Sequence, residues 1–269
     1  MKLRLDFLVF ALTATIWCVS LAGCGVDAYE KRLEATRSYY AYLDKLDQNL
    51  SAPWKRPPID VLRVPKQFQE VPAPQPATGP DGKAEPPDVD PRQPDYAGLS
   101  IKGLIGAWRT DVDAIVNNER APQTAYLYAA TNHEIFLGSG AEEAVNFSKD
   151  LIESMEAALQ TTAKTEPLAV FPKGHLFSAK QSFDVYLLNS AVPIHGSRYV
   201  FEVYVTKQGD NQVAMIFAGP EGMDPQSKVA ERIQLMLESL RVSPAPPQPK
   251  QNQAPGGAPA APGPNPGAF

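Results

Sequence analysis

The sequence is poor in cysteine and histidine. Its 269 residues include two cysteines, Cys18 and Cys24, and three histidines. Small secreted domains held together by disulfides need more cysteines, so the fold must rely on its own hydrophobic core. Metal sites usually cluster their ligands at set spacings, whereas the histidines are far apart along the chain, at His133, His175 and His195. We expect no metal and no cofactor.

An excess of positive charge is also missing, because the formal net charge is −5. Nucleic-acid-binding proteins neutralise phosphates with lysine and arginine. Membrane-binding patches likewise need clusters of basic residues. We therefore expect no nucleic-acid partner and no polybasic contact with a membrane.

Complete catalytic motifs are lacking, and no serine lies in a GxSxG elbow. Gly138-Ser139-Gly140 stands between a predicted strand and a predicted helix, which is the context of a phosphate-binding loop. However, Glu143 occupies the position of the third glycine, and Glu142 adds a second negative charge that would repel phosphate. We interpret Ser139 as a helix N-cap, with Glu142 completing a capping box.

Two further polar pairs resemble site motifs only in part. Asp111 and Asp113 are two apart, but Ile115 stands where a calcium loop would continue with Asp or Asn. We interpret the pair as a solvated turn leading into a short helix. His133 and Glu134 begin like a zinc-binding HExxH helix, but Leu137 stands where the second histidine would be, and 133–137 reads as a strand. A catalytic site assembled from distant residues remains an alternative.

The first 23 residues have the layout of an export signal. A basic start, Lys2 and Arg4, precedes the uncharged and mostly apolar run 7–22. The segment Leu21-Ala22-Gly23-Cys24 resembles the lipobox of bacterial lipoproteins. The resemblance implies cleavage before Cys24, with a diacylglycerol on its thiol and a further acyl chain, such as palmitate, on its amine. Two or more chains suffice for stable membrane anchoring.

The lipobox resemblance also implies a location. It places the chain in the cell envelope, attached to a membrane through Cys24. An Asp after the cysteine favours retention in the inner membrane of double-membrane bacteria, and Gly25 stands there, which implies the outer membrane. An uncleaved transmembrane helix over 7–26 is the alternative, because that run is about long enough to span a bilayer.

Residues 24–52 follow the anchor, and the sequence predicts an amphipathic helix from Val26 to Leu50. One face carries residues at steps of three, four or seven: Tyr29, Leu33, Thr36, Tyr40, Leu43 and Leu50. We expect this face to pack on the domain that follows. Pairing with a second copy and contact with the membrane surface are the alternatives.

Prolines divide the rest of the chain, because 21 of the 27 fall between 53 and 94 or between 244 and 266. Proline fixes φ and lacks a donor, so neither stretch can form continuous helix or central sheet. We predict a proline-rich disordered or extended loop at 72–98 and a disordered tail at 243–269. The folded domain should therefore span 57–242.

Within 57–242 the hydrophobic pattern alternates between strands and helices. Predicted strands cover 59–64, 104–108, 125–130, 133–137, 168–171, 183–188, 199–205 and 213–218. A tight hairpin at Thr131-Asn132 joins two of them. Helices are predicted over 141–160 and after Asp224-Pro225, which read as N-cap and first helical residue. This pattern predicts an α+β fold, a mostly antiparallel sheet packed by helices.

The segment Leu62-Arg63-Val64-Pro65-Lys66-Gln67-Phe68 is similar to the start of the PsbP-like α/β/α sandwich. That family also ends in paired strands and a C-terminal helix with a short apolar strand, as in 233–242 here. The resemblance implies no transferable catalytic residues and a non-catalytic binding or assembly role, with another envelope protein as the partner. The architecture as a whole also resembles lipoproteins of planctomycete-type bacteria. An envelope hydrolase and a structural spacer are the alternatives.

Overall fold

A computed structural model describes residues 27–75, 77–78, 84–85, 89–116, 118–138, 141–174 and 177–244. Several sequence predictions lie outside these residues. They concern the export signal, Cys24, Ser139, His175 and the tail after position 244.

The fold is α+β with mostly antiparallel sheets. The main sheet has seven strands in the order β3-β6-β7-β11-β10-β9-β8, and every neighbouring pair is antiparallel. These strands are β3 (Gln69–Glu70), β6 (Leu104–Val116), β7 (Glu119–Thr131), β8 (Lys164–Phe171), β9 (Gln181–Asn189), β10 (Tyr199–Gln208) and β11 (Asn211–Pro220).

Two smaller sheets accompany the main one. The first has the order β1-β2-β12 and consists of β1 (Trp54–Arg56), β2 (Ile59–Leu62) and β12 (Arg241–Val242). The second pairs β4 (Ala77–Thr78) with β5 (Ala84–Glu85). The helices are α1 (27–49), α2 (His133–Gly138), α3 (Ala141–Val145), α4 (Phe147–Leu159) and α5 (Val229–Ser239). None of the helices in the described part of the chain is both long and apolar enough to cross a membrane.

The main sheet separates two hydrophobic cores. On one side, here called the α4 face, it packs against α4 and the segment 96–104. On the other side, the α5 face, it packs against α5, the three-stranded sheet and the end of α1. Strand β11 lies at the centre, and all ten of its residues are buried. A strand covered on both faces loses the alternation that marks a half-exposed strand.

Helix α1 touches the domain mainly through its C-terminal part. Leu46 is 7% exposed and Leu50 is 1% exposed, whereas Tyr29 and Tyr40 are 65% and 61% exposed. The ring of Tyr42 lies 5.6 Å from the ring of Phe177, which precedes β9. The predicted face therefore packs on the domain only toward its C-terminal end.

The structure confirms the predicted C-terminal helix. The carboxylate of Asp224 accepts a hydrogen bond of 2.8 Å from the backbone N–H of Gln226, and a 3-10 turn over Pro225–Ser227 leads into α5. The apolar face predicted for this helix is buried, with Val229, Ile233, Met236 and Leu240 at most 2% exposed.

The strand predicted for 133–137 and the hairpin at Thr131-Asn132 are wrong. These residues follow the end of β7 and form α2. The backbone N–H of His133 donates to the hydroxyl of Thr131, and that of Phe136 donates to the carbonyl of Asn132. This local hydrogen bonding caps a helix, and it outweighs the strand preference of the apolar run 135–137.

The turn and short helix predicted around Asp111 and Asp113 are also wrong, because both residues lie in β6. The two aspartates are exposed and alternate with the buried Val112 and Ala114. A period of two places them on one face of a strand. As a result β6 and β7 each extend over 13 residues, well beyond the predicted strands.

Two other predicted segments differ in detail. The helix predicted for 141–160 is interrupted at Asn146, which separates α3 from α4. The loop predicted for 72–98 packs against the domain within its last ten residues, where Tyr96 is only 6% exposed. Burying the large aromatic ring of Tyr96 is favourable, because it removes a large apolar surface from water. This gain holds the end of the loop against the domain.

Candidate ligand-binding groove

The candidate site is a groove on the α4 face, along β6 and β7. The antiparallel register pairs Arg109 with Tyr126 and Asp111 with Thr124. Gln69 of β3 lies opposite Arg109 on the other side. Residues paired in this way project from the same face of a sheet. The register therefore places an arginine, a tyrosine, an aspartate, a threonine and an amide side by side.

The groove consists of two adjoining cavities that share Arg109. The polar cavity, of about 340 Å³, is lined by Gln67, Gln69, Arg109, Thr110, Asp111 and Thr124. The aromatic cavity, of about 350 Å³, lies between the segment 89–95 and the side chains of Arg109, Tyr126 and Tyr128. Arg109 and Asp111 are exposed, so the groove is open to solvent.

Residues 89–95 form one wall of the groove, and Arg92 fixes this wall to the sheet. Its guanidinium donates to the Asp90 carboxylate, at 2.7 Å, and to the backbone carbonyl of Ile105, at 3.1 Å. The amide of Gln93 exchanges two hydrogen bonds with the backbone of Ile101. Bonds of this kind position an irregular segment in the way that a strand partner would.

Behind the wall lies a cluster of aromatic rings. The hydroxyls of Tyr96 and Tyr128 are 2.9 Å apart and form a hydrogen bond in the protein interior. The hydroxyl of Tyr199 donates to the carbonyl of Thr124, at 2.7 Å. The ring of Tyr126 is stacked with that of Tyr128, with centroids 6.2 Å apart. These contacts hold Tyr126 between a rigid interior and the open groove.

The exposed His195 joins the groove at its outer end. Its Nε2 atom lies 3.0 Å from the hydroxyl of Tyr126 and 4.0 Å from a carboxylate oxygen of Asp95. In a catalytic triad, the acidic residue holds the histidine through the nitrogen opposite to the reactive one. Here both neighbours approach the same nitrogen, so the geometry is not that of a triad.

The tyrosines of the groove stay protonated over the physiological pH range. Burial raises the pKa of Tyr96 and of Tyr128 far above the ordinary tyrosine value. Partial burial, followed by the charge of Asp95, raises the pKa of Tyr126 as well. The hydrogen bond from Arg92 lowers the pKa of Asp90. The groove therefore presents neutral phenol groups beside carboxylates and an arginine.

The side chain of Arg109 is exposed and open to a ligand. Among the described residues, its guanidinium forms no hydrogen bond and no ion pair. A guanidinium offers five donors in a planar arrangement. Together with the carboxylate of Asp111 and the amide of Gln69, it gives the groove donors and acceptors that can bind a polar ligand.

Comparisons with known proteins assign no family. No family model matches the chain, and no curated protein matches it. A crystal structure from Bacteroides thetaiotaomicron is similar over 67% of this chain, at 9% identity and a TM-score of 0.29. The match covers 44% of that structure's chain, so this chain spans less than half of its length. A similarity this low supports no argument about function.

The structure brings some of the sequence-predicted residues to the groove and leaves others apart. Asp111 lines the groove, and His195 lies at its end. Asp113 instead forms an ion pair with Arg120, at 3.0 Å. His133 lies in α2, and in the described ranges no three His, Cys, Asp or Glu side chains are grouped so as to hold a metal ion.

Glu142 and Glu143 of the phosphate-loop motif, which the structure describes, do not line the groove. Glu142 and Glu143 lie in the first turn of the five-residue α3 and are exposed. Glu143 lines a separate cavity of about 530 Å³, together with Lys102 and Asp150. Although this cavity is larger, it lacks tyrosine and arginine side chains.

Sequence reasoning missed Arg109, Tyr126 and Tyr128. The available signal was the alternation of polar and apolar residues through the whole of β6. The predicted strand ends at Trp108 and leaves out Arg109, although this residue is the first exposed position of a long hairpin. Tyr126 and Tyr128 lie within the predicted strand 125–130, and the strand pattern by itself does not mark them as site residues.

Proposed function

We propose that this protein is a lipid-anchored module of the bacterial cell envelope that binds another envelope component through the groove, without catalysing a reaction. The segment Leu21-Ala22-Gly23-Cys24 supports the anchor. The observation that supports binding is the exposed Arg109, which has no partner in the described chain and lies beside the half-buried Tyr126. Exposed aromatic and arginine side chains are typical of binding sites.

The finer architecture is part of the same proposal. The domain is a PsbP-like α/β/α sandwich preceded by an amphipathic helix that connects it to the anchor. The packing of α4 and α5 on opposite faces of the main sheet supports the sandwich. The burial of Leu46 and Leu50 supports a helix attached to the domain at its C-terminal end. Gly25 after the modified cysteine supports the outer membrane as the location.

Metabolic labelling tests the anchor. Cells that express the full chain are grown with an alkyne-bearing fatty acid, and the purified protein is examined for the label. The native protein and the variant Cys18→Ser should carry the label, whereas Cys24→Ser should not. Because Cys18 lies in the segment that is removed, it is the matched control. Equal labelling of both variants, or of neither, would refute the anchor.

Photo-cross-linking in living cells tests the binding role. A photoreactive amino acid replaces Asp111 in the groove or, as the control, Leu168 on β8. Leu168 is 60% exposed and lies at the far edge of the main sheet. We expect a discrete cross-linked product from position 111 only. The same products from both positions, or none from position 111, would contradict a binding role for the groove.

A structural spacer is the second candidate. The exposure of Tyr29 and Tyr40 on α1 favours it, because exposed aromatic side chains on a helix can pack against a second copy. Sedimentation of the detergent-solubilised protein distinguishes the two candidates. The spacer requires a dimer that Tyr40→Ala weakens, whereas the binding module is compatible with a monomer.

A further inference from the structure

The groove has the chemistry of a carbohydrate site, and we infer that its ligand is a neutral oligosaccharide. This inference deepens the proposed binding role and rests on it. It follows from three properties of the groove: the polarity of its lining, the balance of its charges, and the pairing of the strand edge beside it.

The lining excludes an apolar ligand. All six residues of the polar cavity carry hydrogen-bonding side chains: Gln67, Gln69, Arg109, Thr110, Asp111 and Thr124. Burying such groups beneath a hydrocarbon would cost free energy, because their hydrogen bonds to water would not be replaced. A lipid tail or an apolar peptide therefore does not fit this half of the groove.

The charges argue against a strongly anionic ligand. Arg109 is the one cation of the lining that is free among the described residues, because Arg92 is paired with Asp90 at 2.7 Å. Asp111 and Asp95 bring negative charge to either side of Arg109. A phosphate or sulfate group would meet these carboxylates as well as the guanidinium. A neutral ligand with many hydroxyls can instead donate to the carboxylates and accept from the arginine.

The strand edge beside the groove argues against an extended peptide. Peptides that add to a sheet bind through unpaired backbone groups at its edge. Here β3 pairs with residues 108–109 of β6, and the N–H of Val71 donates to the carbonyl of Ala107. Further along β6, the N–H of Asp224 donates to the carbonyl of Asp113. These bonds leave only a short stretch of the β6 edge, around Asp111, without a backbone partner, so recognition in the groove relies on side chains.

Tyr126 gives the groove an aromatic surface for a sugar ring. A pyranose ring has an apolar C–H face surrounded by hydroxyls, and the electron-rich face of an aromatic ring attracts such C–H groups. The ring of Tyr126 is held from behind by the buried tyrosines and is flanked by Arg109, its partner across the strands. The ring of Tyr126 matches the apolar face of a sugar, and the polar side chains of Arg109 and Asp111 match its hydroxyls.

The open shape of the groove favours a chain over a single small molecule. Small-molecule sites usually enclose most of the ligand surface. Here the two cavities adjoin along β6 and β7, and Gln69, Asp95, Arg109 and Asp111 on their rims are exposed. An oligosaccharide can lie along the strands and occupy both cavities.

Isothermal titration calorimetry of the full-length protein in mild detergent tests the inference. The probes are chitohexaose, cellohexaose and maltohexaose at millimolar concentration. We expect at least one of them to bind, and we expect Tyr126→Ala and Arg109→Ala each to weaken binding by about tenfold or more. Tyr126→Phe keeps the ring and should bind within about threefold of the native protein. Circular dichroism establishes that each variant is folded.

The controls use the same residue types away from the groove. Tyr40→Ala and Arg37→Ala change exposed positions of α1 and should leave binding unchanged. If Tyr126→Ala does not fold, Arg109→Ala carries the test, because its exposed side chain makes no bond within the described chain.

Three results would overturn the inference. They are no binding of any of the three probes, binding that both groove variants retain, and a protein as the product cross-linked at position 111. The third result would leave the proposed binding role in place and change its ligand. Loss of the lipid label in the native protein, in contrast, would refute the anchor without affecting the sugar titration.

Discussion

The hydrogen bond between Tyr96 and Tyr128 offers the sharpest test of how the groove is supported. The two hydroxyls are 2.9 Å apart, and the side chains are 6% and 3% exposed. Replacing either residue with phenylalanine removes one hydroxyl and leaves the other without its partner in the interior. Replacing both removes the hydrogen bond and leaves no unpaired hydroxyl.

The expected magnitudes follow from this geometry. Each single change should reduce the free energy of unfolding by about 1–3 kcal/mol, because a buried polar group loses its partner. The double variant should be destabilised by about 1 kcal/mol, because a hydrogen bond replaced by two apolar groups changes stability little. The effects of Tyr96→Phe and Tyr128→Phe should therefore add to clearly more than the effect of the pair, which is the signature of direct coupling.

Urea unfolding of the full-length protein in mild detergent measures these differences. The fluorescence of the buried Trp108 reports the transition. The four proteins of the cycle are compared at pH 7, where both phenols are protonated. If the single effects add up to the effect of the double variant, the two hydroxyls are not coupled. The described support of Tyr126 would then be wrong.

Three further predictions concern stability, each measured by urea unfolding. Gly103→Ala should destabilise the protein by about 3 kcal/mol or more, since φ is +69° and a Cβ would overlap a carbonyl oxygen of β7. The control Gly98→Ala, at φ +62° in open space, should cost about 1 kcal/mol. Equal effects of the two changes would contradict the close packing of Gly103 against β7. The Arg92 hydrogen bond lowers the pKa of Asp90 below the ordinary value of 3.8, so its contribution is present above pH 3.8 and lost as the pH falls through the folded-state pKa. The stability difference between the native protein and D90N should therefore vanish in acid. A difference that stays constant as the pH falls would refute the stabilising bond between Arg92 and Asp90. Leu50→Ala should cost about 2–5 kcal/mol, because this side chain is 1% exposed where α1 meets the domain; a loss below 1 kcal/mol would mean that α1 is not docked.

The sequence was sufficient to predict those elements whose local signals agree. Strands β10 and β11 could be predicted because alternating or continuous apolar residues mark both of them. Helix α5 was predicted because a capping aspartate and a proline precede a regular apolar face. In such segments the residue pattern, the turn chemistry and the burial all favour the same structure.

The errors occurred where local signals conflict. The run Ile135-Phe136-Leu137 is too short to separate helix from strand by periodicity, and the cap at Thr131 decided the outcome. Asp111 and Asp113 have a low preference for strands, but the pairing of β6 with β7 along the whole hairpin outweighs this preference. Neither effect can be evaluated without knowing the neighbouring strand.

The groove could not be predicted from sequence because its parts come from distant segments. Gln69, Asp95, Arg109, Tyr126 and His195 belong to separate strands or loops. Only the order of strands in the main sheet brings them together. Of the residues proposed from sequence, Asp111 and His195 lie at this site, in roles other than those of a calcium or zinc ligand.

Mass spectrometry of the native protein, isolated from its own membranes, tests directly whether Cys24 carries the lipid anchor. If the anchor is as proposed, the N-terminal peptide begins at Cys24 and carries a diacylglycerol on sulfur and an acyl chain on the amine. A protein that begins at Met1, or that has an unmodified thiol at Cys24, would contradict it.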